Sequence, residues 1–298
     1  MADSLTSTFE NMGKGKEAES DTLYMSRHLI RRLAAPLLPM TGLGPGTAGP
    51  VRLLDTACGT GVVVAELQGE NGLPRDVLAQ SSFVCADNAQ GMIDLVQKRI
   101  ENEGWVNVEA KVLDAQNTGL PESSFSHVTA CLALHLTPDP DAVVRDAMRV
   151  LQPGGTFGAT TFPKNSDKKF WFGDLKEAFA SMPFDAVLPD VMPTQTHDSG
   201  HWNDPAWIEP HLKELGLANV SVEVKSGSAY IESADDFIRL FSPMFAPLMK
   251  AFWSEETREA HPVAEVIELV RQFLKEKYGD ERWQNHWSNI YMTGTVEK

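Results

Sequence analysis

Short apolar runs alternate with amphipathic segments through the first half of the chain. Runs of strand length are separated by stretches in which apolar residues recur every three or four positions. The predicted strands are residues 51–55, 82–87, 108–113, 125–134 and 156–162. The predicted helices among them are residues 61–67, 91–103 and 141–151. Strands separated by helices form βαβ units, so the pattern predicts an α/β fold with a mainly parallel sheet.

The alternation stops after Phe162. Residues 164–204 show no regular pattern. The remaining predicted elements are a helix at 23–38, a helix at 205–215, a strand at 220–225, a mostly helical stretch at 233–278 and a strand at 291–296.

The segments outside the alternating pattern suggest a lid. We expect one domain, residues 1–298, with helices on both faces of its sheet. The arm 1–40 and the insertions 163–204 and 229–287 are expected to cover a substrate, because a small substrate must be shielded from water.

The segment from Asp55 to Gly61, D-T-A-C-G-T-G, is the most informative part of the chain. The order of strand, glycine-rich loop and helix binds nucleotide-like ligands at the carboxyl edge of a parallel sheet. Gly59 and Gly61 permit a sharp turn and a close approach to a ligand. The dinucleotide pattern G-x-G-x-x-G is incomplete because Val64 replaces its third glycine, and the sequence has no G-x-x-x-x-G-K-[ST] phosphate loop.

This segment resembles motif I of the class I methyltransferases, which bind S-adenosylmethionine (SAM). The resemblance implies a Rossmann-like sheet of seven strands, with SAM as cofactor and S-adenosylhomocysteine (SAH) as product. It also implies cofactor contacts by Asp55, Ala57, Cys58, Gly59 and Gly61. Asp55 is expected to hydrogen-bond the glycine loop and to face the methionine ammonium of SAM through water.

Asp87 ends the second predicted strand. A carboxylate at that edge can accept both ribose hydroxyls of SAM in charge-assisted hydrogen bonds. The alternative is a solvated acid or a helix N-cap. Residues 87–92 resemble the D-x-S-x-x-M element of the same superfamily, with Ala89 in place of its serine, which adds Asn88 and Met92 to the cofactor contacts.

Asp114 and Ala115 follow the third predicted strand. With Leu120 and Pro121 they resemble the D-A-x-x-L-P element, which implies that Asp114 accepts from the adenine amino group and that the Ala115 amide donates to a ring nitrogen. A turn aspartate is the structural alternative.

His135 follows the fourth predicted strand, beside the expected position of the transferred methyl group. A histidine with an ordinary pKa near 6.5 can accept a proton from a thiol or hydroxyl at neutral pH. A structural histidine is the alternative. Tyr24, His28 and His201 lie in the lid segments and are further catalytic candidates.

Aromatic residues are frequent in the lid segments and suggest walls for a flat, partly apolar substrate. They are Tyr24, Trp171, Phe172, Trp202, Phe241 and Phe245. For any single one of them, packing within the lid is the alternative.

Composition and charge narrow the possible partners. The net charge of −15 argues against nucleic acid or an anionic membrane, since both require basic patches. The three cysteines, Cys58, Cys85 and Cys131, lack paired spacing, so we expect neither a disulfide framework nor a metal site. The sequence has no apolar run of membrane-spanning length and no apolar leader, so we expect a cytoplasmic protein. The oligomeric state stays open.

Two further stretches carry a more specific resemblance. Residues 103–107 with 118–121, and residues 252–259, resemble fungal methyltransferases of secondary metabolism, in particular the gliotoxin-type thiol methyltransferases. This implies methyl transfer to a small-molecule acceptor, with a thiol or hydroxyl expected and a nitrogen or carboxylate still open. A SAM-binding regulator without turnover is an alternative from another class, as is an enzyme that uses SAM only to bind and polarise its substrate.

Overall fold

One seven-stranded sheet organises the described part of the chain. The computed structural model describes residues 16–164, 172–190 and 193–297. The strands are β1 (Arg52–Thr56), β2 (Ser82–Asp87), β3 (Val108–Val112), β4 (Phe125–Cys131), β5 (Leu151–Thr161), β6 (Ala218–Ile231) and β7 (Trp283–Thr295). Their order is β3-β2-β1-β4-β5-β7-β6. Strands β1 to β5 are parallel, and β7 runs antiparallel to both β5 and β6. The expected Rossmann-like α/β fold is confirmed.

Helices connect and flank these strands. They are α1 (Lys16–Met25), α2 (Arg31–Ala34), α3 (Leu37–Met40), α4 (Val62–Gln68), α5 (Arg75–Gln80), α6 (Gln90–Glu103), α7 (Pro140–Val150), α8 (Phe172–Ala180), α9 (Pro205–Glu214), α10 (Ala234–Phe241), α11 (Phe245–Phe252), α12 (Glu255–Ala260) and α13 (Val263–Tyr278). A π-helical turn, Ser26–Ile30, lies between α1 and α2, and a 3₁₀ turn, Ser242–Met244, precedes α11.

Helices cover both faces of the sheet because successive strand residues point to opposite sides. On β1, Leu53 packs with residues of α4 and α6, such as Val63 and Val96, on one face. The next residue, Leu54, packs with residues of α7 and α9 on the other face.

A third core, mostly helical, lies outside the two sheet faces. Strands β6 and β7 pair well beyond the end of β5, as far as Ile231 and Trp283. The extension packs against α8, α10, α11 and α13 around the buried side chains of Phe237, Phe245 and Val270. These helices belong to the segments that the sequence assigns to the lid. They pack against the two-stranded extension of β6 and β7.

The ends of several elements differ from prediction. The predicted helix 23–38 is divided, because the π-helical turn and Pro36 interrupt it. Strand β4 ends at Cys131, so His135 stands in the following loop rather than directly after a strand. The stretch 164–204, predicted to be irregular, contains α8. Helix α5 was not predicted at all.

Strand β7 is twice as long as its predicted core at residues 291–296. Its early inward positions alternate Trp283, Asn285, Trp287 and Asn289, all buried. The first half of β7 was not predicted because Asn285 and Asn289 interrupt the alternation of apolar and polar residues that indicates a strand.

Candidate active site

One cavity of about 510 Å³ opens at the carboxyl ends of β1, β2 and β4. We divide its lining by position in the chain. The loop lobe comprises Ala57, Cys58, Gly59, Thr60, Asp87, Asn88, Ala89, Met92, Leu113, Asp114, Ala115 and Gln116. The apolar lobe comprises Met25, Leu29, Leu33, Cys131, Leu132, His135, Thr137, Phe162, Pro163, Phe172, Pro193, Thr194, Thr196, Leu240, Phe241, Met244, Pro247, Leu248, Ala251, Phe252 and Ser288.

The glycine loop after β1 is shaped by left-handed residues. Ala57, Gly59 and Gly61 have φ of 48°, 53° and 72°. A Cβ on Gly59 would meet no atom within 4 Å, so the backbone there borders open space. A Cβ on Gly61 would lie 3.2 Å from the Trp105 ring, and Gly61 does not line the cavity. Gly61 therefore serves helix packing rather than the ligand contact that the sequence suggested.

Asp87 fixes the loop against the end of β2. Its carboxylate accepts hydrogen bonds from the Gly59 amide at 2.8 Å and from the Ala89 amide at 3.0 Å. Burial raises the pKa of Asp87, and these backbone bonds oppose the rise. Because each carboxylate oxygen can accept more than one bond, Asp87 keeps acceptor capacity on the cavity wall.

Most other residues expected to contact a cofactor line the loop lobe. Asn88 and Met92 do so at the start of α6. Asp114 and Ala115 lie after β3, where the Asp114 carboxylate accepts from the Gln116 amide at 2.9 Å. Together with Ala57, Cys58, Gly59 and Asp87, they form one continuous surface around the carboxyl edge.

Asp55 lies behind this surface rather than on it. It is fully buried, and its Oδ1 accepts from the Thr129 hydroxyl at 2.7 Å, while Oδ2 has no hydrogen-bond partner among the described residues. The expected hydrogen bond to the glycine loop is not formed, because the side chain is turned towards β4. Burial raises the pKa of Asp55 to about 7 against the opposing Thr129 bond, and the charge of Asp87 adds to the rise.

His135 is the one catalytic candidate from the sequence that reaches the cavity. It is only 3% exposed, its ring meets Phe162 edge-on at 5.1 Å, and its Nδ1 has no hydrogen-bond partner in the part of the chain that the structure describes. Burial, aided by His197, lowers the pKa of His135 to about 3. The expectation of a base with an ordinary pKa is therefore wrong, because the ring is held neutral.

A brace not foreseen from the sequence holds the loop of His135. The Nε2 of His197 donates to the Leu134 carbonyl at 2.8 Å, since its Nδ1 accepts from the Ser199 amide. The Thr196 amide donates to the His135 carbonyl at 2.9 Å. Both contacts come from the irregular stretch before α9, where no periodic pattern could signal them.

Tyr24 and His28 lie outside the cavity, contrary to expectation. The Tyr24 hydroxyl donates to Asp236 at 2.8 Å, and its ring stacks on His28 at 3.9 Å. The π-helical turn explains the difference, because it directs Ser26 and Leu29 inward and leaves His28 exposed. Tyr24 therefore joins α1 to the helical core, and His28 stacks on it at the surface instead of facing a substrate.

His201 is also outside the cavity. It is exposed and meets the edge of Trp207 at 5.8 Å. Its loop precedes α9, which packs on the sheet face. The sequence reason for choosing it, its place in a lid segment, does not bring it to the site.

The aromatic residues proposed as walls divide into three groups. Phe172 and Phe241 line the apolar lobe, whereas Trp202 and Phe245 are buried in the cores beside it. Trp171 lies outside the described residues. Phe162 and Phe252 also line the lobe, although each stands at the end of a predicted or amphipathic element, where the sequence gives no sign of a cavity.

The sheet order and the glycine loop with its strand-end acid define the class. The seven-stranded sheet has its last strand antiparallel to its neighbours, as in the fold that the sequence resemblance implies, and its carboxyl edge presents the Asp87 carboxylate and the Gly59 backbone to the cavity. The chain is a SAM-dependent methyltransferase with a Rossmann-like fold.

Comparison with known proteins gives the same result. Residues 53–155 match the methyltransferase domain family. The chain is 27% identical to methyltransferase tpcH of Aspergillus fumigatus over 83% of its own length and 85% of the relative's. It is 28% identical to the acetylaranotin bis-thiomethyltransferase of Aspergillus terreus over 82% and 81%. The chain thus resembles fungal methyltransferases of secondary metabolism over most of its length.

Solved structures share the fold. A Haemonchus contortus phosphoethanolamine N-methyltransferase in complex with SAM aligns with a TM-score of 0.53 over 98% of this chain and 60% of that one, at 16% identity. A Bacillus halodurans structure aligns with a TM-score of 0.52 over 89% and 99%, also at 16% identity. At this identity the likeness concerns the fold alone.

Proposed function

We propose that the chain transfers the methyl group of SAM to a thiol or hydroxyl of a small, largely apolar molecule. The observation that carries the proposal is that one cavity joins the loop lobe to the apolar lobe. Within the apolar lobe, Leu132 and His135 come from the loop just past the end of β4, a strand that pairs with β1, whose glycine loop belongs to the loop lobe. A cofactor in one lobe and an acceptor in the other would meet without crossing solvent.

The loop lobe would hold the cofactor. Asp87 would accept from the ribose hydroxyls, and Asp114 with the Ala115 amide would hold the adenine, whose face Met92 would cover. The amides and carbonyls of Ala57, Cys58 and Gly59 would border the methionine part. When bound, SAM supplies a methyl group already activated by a sulfonium.

The apolar lobe would hold and align the acceptor. In-line orientation of the acceptor atom and the methyl carbon can supply roughly 7–11 kcal/mol in favourable cases. Side chains such as Phe162, Phe241 and Phe252 exclude water and favour a flat molecule. Their ring faces also suit the positive charge of a sulfonium.

The proposal also covers the biological origin, the cellular location and the partners of the protein. The A. terreus relative is named for methylating thiols, and both fungal relatives support an origin in fungal secondary metabolism. In the described part of the chain, no helix is long and apolar enough to cross a membrane. The net charge of −15 supports a protein without a nucleic-acid partner, and the three free cysteines, two of them buried, support a cytoplasmic one.

Transfer of a labelled methyl group is the direct test. The purified protein is incubated with methyl-labelled SAM and a panel of apolar thiols, hydroxyls, amines and carboxylic acids. We expect label in an organic thioether or ether, together with an equal amount of SAH. If the protein binds SAH but labels none of the panel, the result would favour a SAM-binding regulator and contradict the proposal.

A further inference from the structure

A buried arginine reaches the glycine loop from behind. Arg99 on α6 is 4% exposed, and it lies outside the cavity lining. Its Nη1 donates to the Thr60 carbonyl at 2.7 Å, and Thr60 itself lines the loop lobe. Because a charge is costly to bury unless its hydrogen bonds are made, Arg99 and the loop it contacts fix each other's position.

Glu103, one turn further along α6, sets the direction of the Arg99 guanidinium. Its carboxylate accepts from Nε at 2.8 Å and from Nη2 at 3.1 Å. The Trp105 ring lies against the guanidinium, with 4.6 Å between Cζ and the ring centroid, and its Nε1 also donates to Glu103 at 3.2 Å. Two parallel hydrogen bonds and a stacked ring restrict the guanidinium, so Nη1 is directed at Thr60.

The glycine loop needs contacts of this kind, because glycine has little preference for one backbone conformation. The residues on both sides of Thr60 are glycines with positive φ. Asp87 holds the Gly59 amide, and Arg99 holds the next carbonyl. The hydroxyls of Thr60 and Ser26 share a hydrogen bond of 2.6 Å. The conformation of the loop therefore depends on three side chains from three different elements.

The segment after α1 takes part in the same network. Ser26, which bonds Thr60, and Arg27 are neighbours in the π-helical turn. Arg27 donates to Glu103 at 2.9 Å, so Glu103 receives donors from both α6 and this turn. The turn thus contacts the loop directly through Ser26 and indirectly through the carboxylate that orients Arg99.

We propose that Arg99 is a positioning residue for SAM, which holds the Thr60 carbonyl and thereby keeps the glycine loop in the conformation that binds the cofactor. Arg99 acts through Thr60, since it lies outside the cavity itself. The inference concerns the cofactor alone and does not depend on the chemical class of the acceptor. Loss of Arg99 should therefore weaken the cofactor, because part of the binding free energy is then spent on ordering the loop.

Calorimetric titration of Arg99→Met with SAH tests this inference. Methionine keeps an unbranched apolar side chain beside Trp105 but cannot donate to Thr60. We expect SAH to bind about tenfold more weakly, the equivalent of one lost charge-assisted hydrogen bond. Arg99→Lys, which keeps a cationic donor without the planar fork, should recover part of the loss.

A second variant keeps the inference open to test if Arg99→Met does not fold. Glu103→Gln keeps the size of the side chain and leaves Arg99 in place, but it weakens the pair that directs the guanidinium. We expect about threefold weaker binding of SAH to this variant. Unchanged SAH affinity in Glu103→Gln and Arg99→Lys, with Arg99→Met unfolded, would assign Arg99 to stability alone and overturn the inference.

Arg145→Met is the matched control. Arg145 also forms an ion pair at a spacing of four residues, with Asp141 on α7, and it is likewise outside the cavity lining. This variant should bind SAH with wild-type affinity. A lower Tm of Arg99→Met with wild-type SAH affinity in the folded protein, or equal losses of affinity in Arg99→Met and Arg145→Met, would overturn the positioning role. Either result would leave the proposed methyl transfer to a thiol or hydroxyl untouched.

Discussion

At the scale of single residues, two buried titratable groups beside the glycine loop have pKa values shifted in opposite senses. Asp55 holds its proton up to about pH 7, and His135 stays neutral down to about pH 3. Burial is the main cause for both, since it disfavours the charged form of either group. Both groups are therefore shielded from water. Asp87 differs from them because its carboxylate accepts two backbone hydrogen bonds.

The shift of Asp55 predicts how stability depends on pH. Between the ordinary value of 3.8 and about 7, the folded state keeps a proton that the unfolded state has released, so this group lowers stability as pH rises. Its contribution falls by at most about 1.4 kcal/mol per pH unit in that window. The Tm of Asp55→Asn relative to wild type should therefore rise from pH 5 to pH 8.

The neighbours of Asp55 define the control. Asp87 is the titratable group whose charge acts on Asp55, while Asp55 acts in turn on Cys58 and Cys131, and all three are unchanged in the variant. Asp280→Asn, at an exposed position after α13, is the control for removing a carboxylate from the surface. A relative Tm of Asp55→Asn that stays flat across the series would show that Asp55 is ionised in the folded protein.

The depressed pKa of His135 predicts the shape of the rate profile. A histidine with an ordinary pKa would become protonated near pH 6.5 and lose its acceptor nitrogen. His135, with His197 beside it, should remain an acceptor, so kcat/KM should not fall between pH 7 and pH 5.5. A loss that follows a single group near pH 6.5 and disappears in His135→Gln would show that the ring titrates normally.

At the scale of elements, the first helix joins two parts of the site. Lys98 of α6 pairs with Glu19 of α1, and Arg239 of α10 bonds Asp21 at 2.8 Å. Tyr24 adds a hydrogen bond to Asp236, also on α10. Helix α1 thus contacts both α6, which carries Met92 of the loop lobe, and α10, which carries Leu240 and Phe241 of the apolar lobe. The sequence predicted a catalytic role for Tyr24 in a covering segment, whereas the structure shows that Tyr24 attaches α1 to α10.

Loss of this attachment should loosen α1 specifically. Tyr24→Phe removes one hydrogen bond, worth about 1 kcal/mol, while the ring can still stack on His28. Limited proteolysis should then cleave near α1 several-fold faster than in wild type, and SAH should slow that cleavage. Tyr230→Phe, at an exposed position of β6, is the matched control. Equal cleavage in the two variants would argue against an attachment role for Tyr24.

At the scale of the whole molecule, the sheet and the loop lobe could be predicted because local patterns determine them. The strand ends at Asp87 and the glycine turn at Gly59 follow from alternation and backbone conformation over a few residues. The apolar lobe could not be predicted in this way. Its lining depends on the π-helical turn at Ser26 and on the brace from His197 to Leu134, and both are set by tertiary contacts.

Binding of SAM in the loop lobe through Asp87 is tested most directly by calorimetric titration of the protein with SAH. Wild type should bind one SAH per chain and give no comparable response to NAD, because the third glycine of a dinucleotide loop is absent. Asp87→Asn should weaken SAH by roughly 2–3 kcal/mol, since a charge-assisted acceptor of two hydroxyls is replaced by a neutral amide. Tight binding of NAD without a response to SAH, or wild-type SAH affinity in a folded Asp87→Asn variant, would contradict the account.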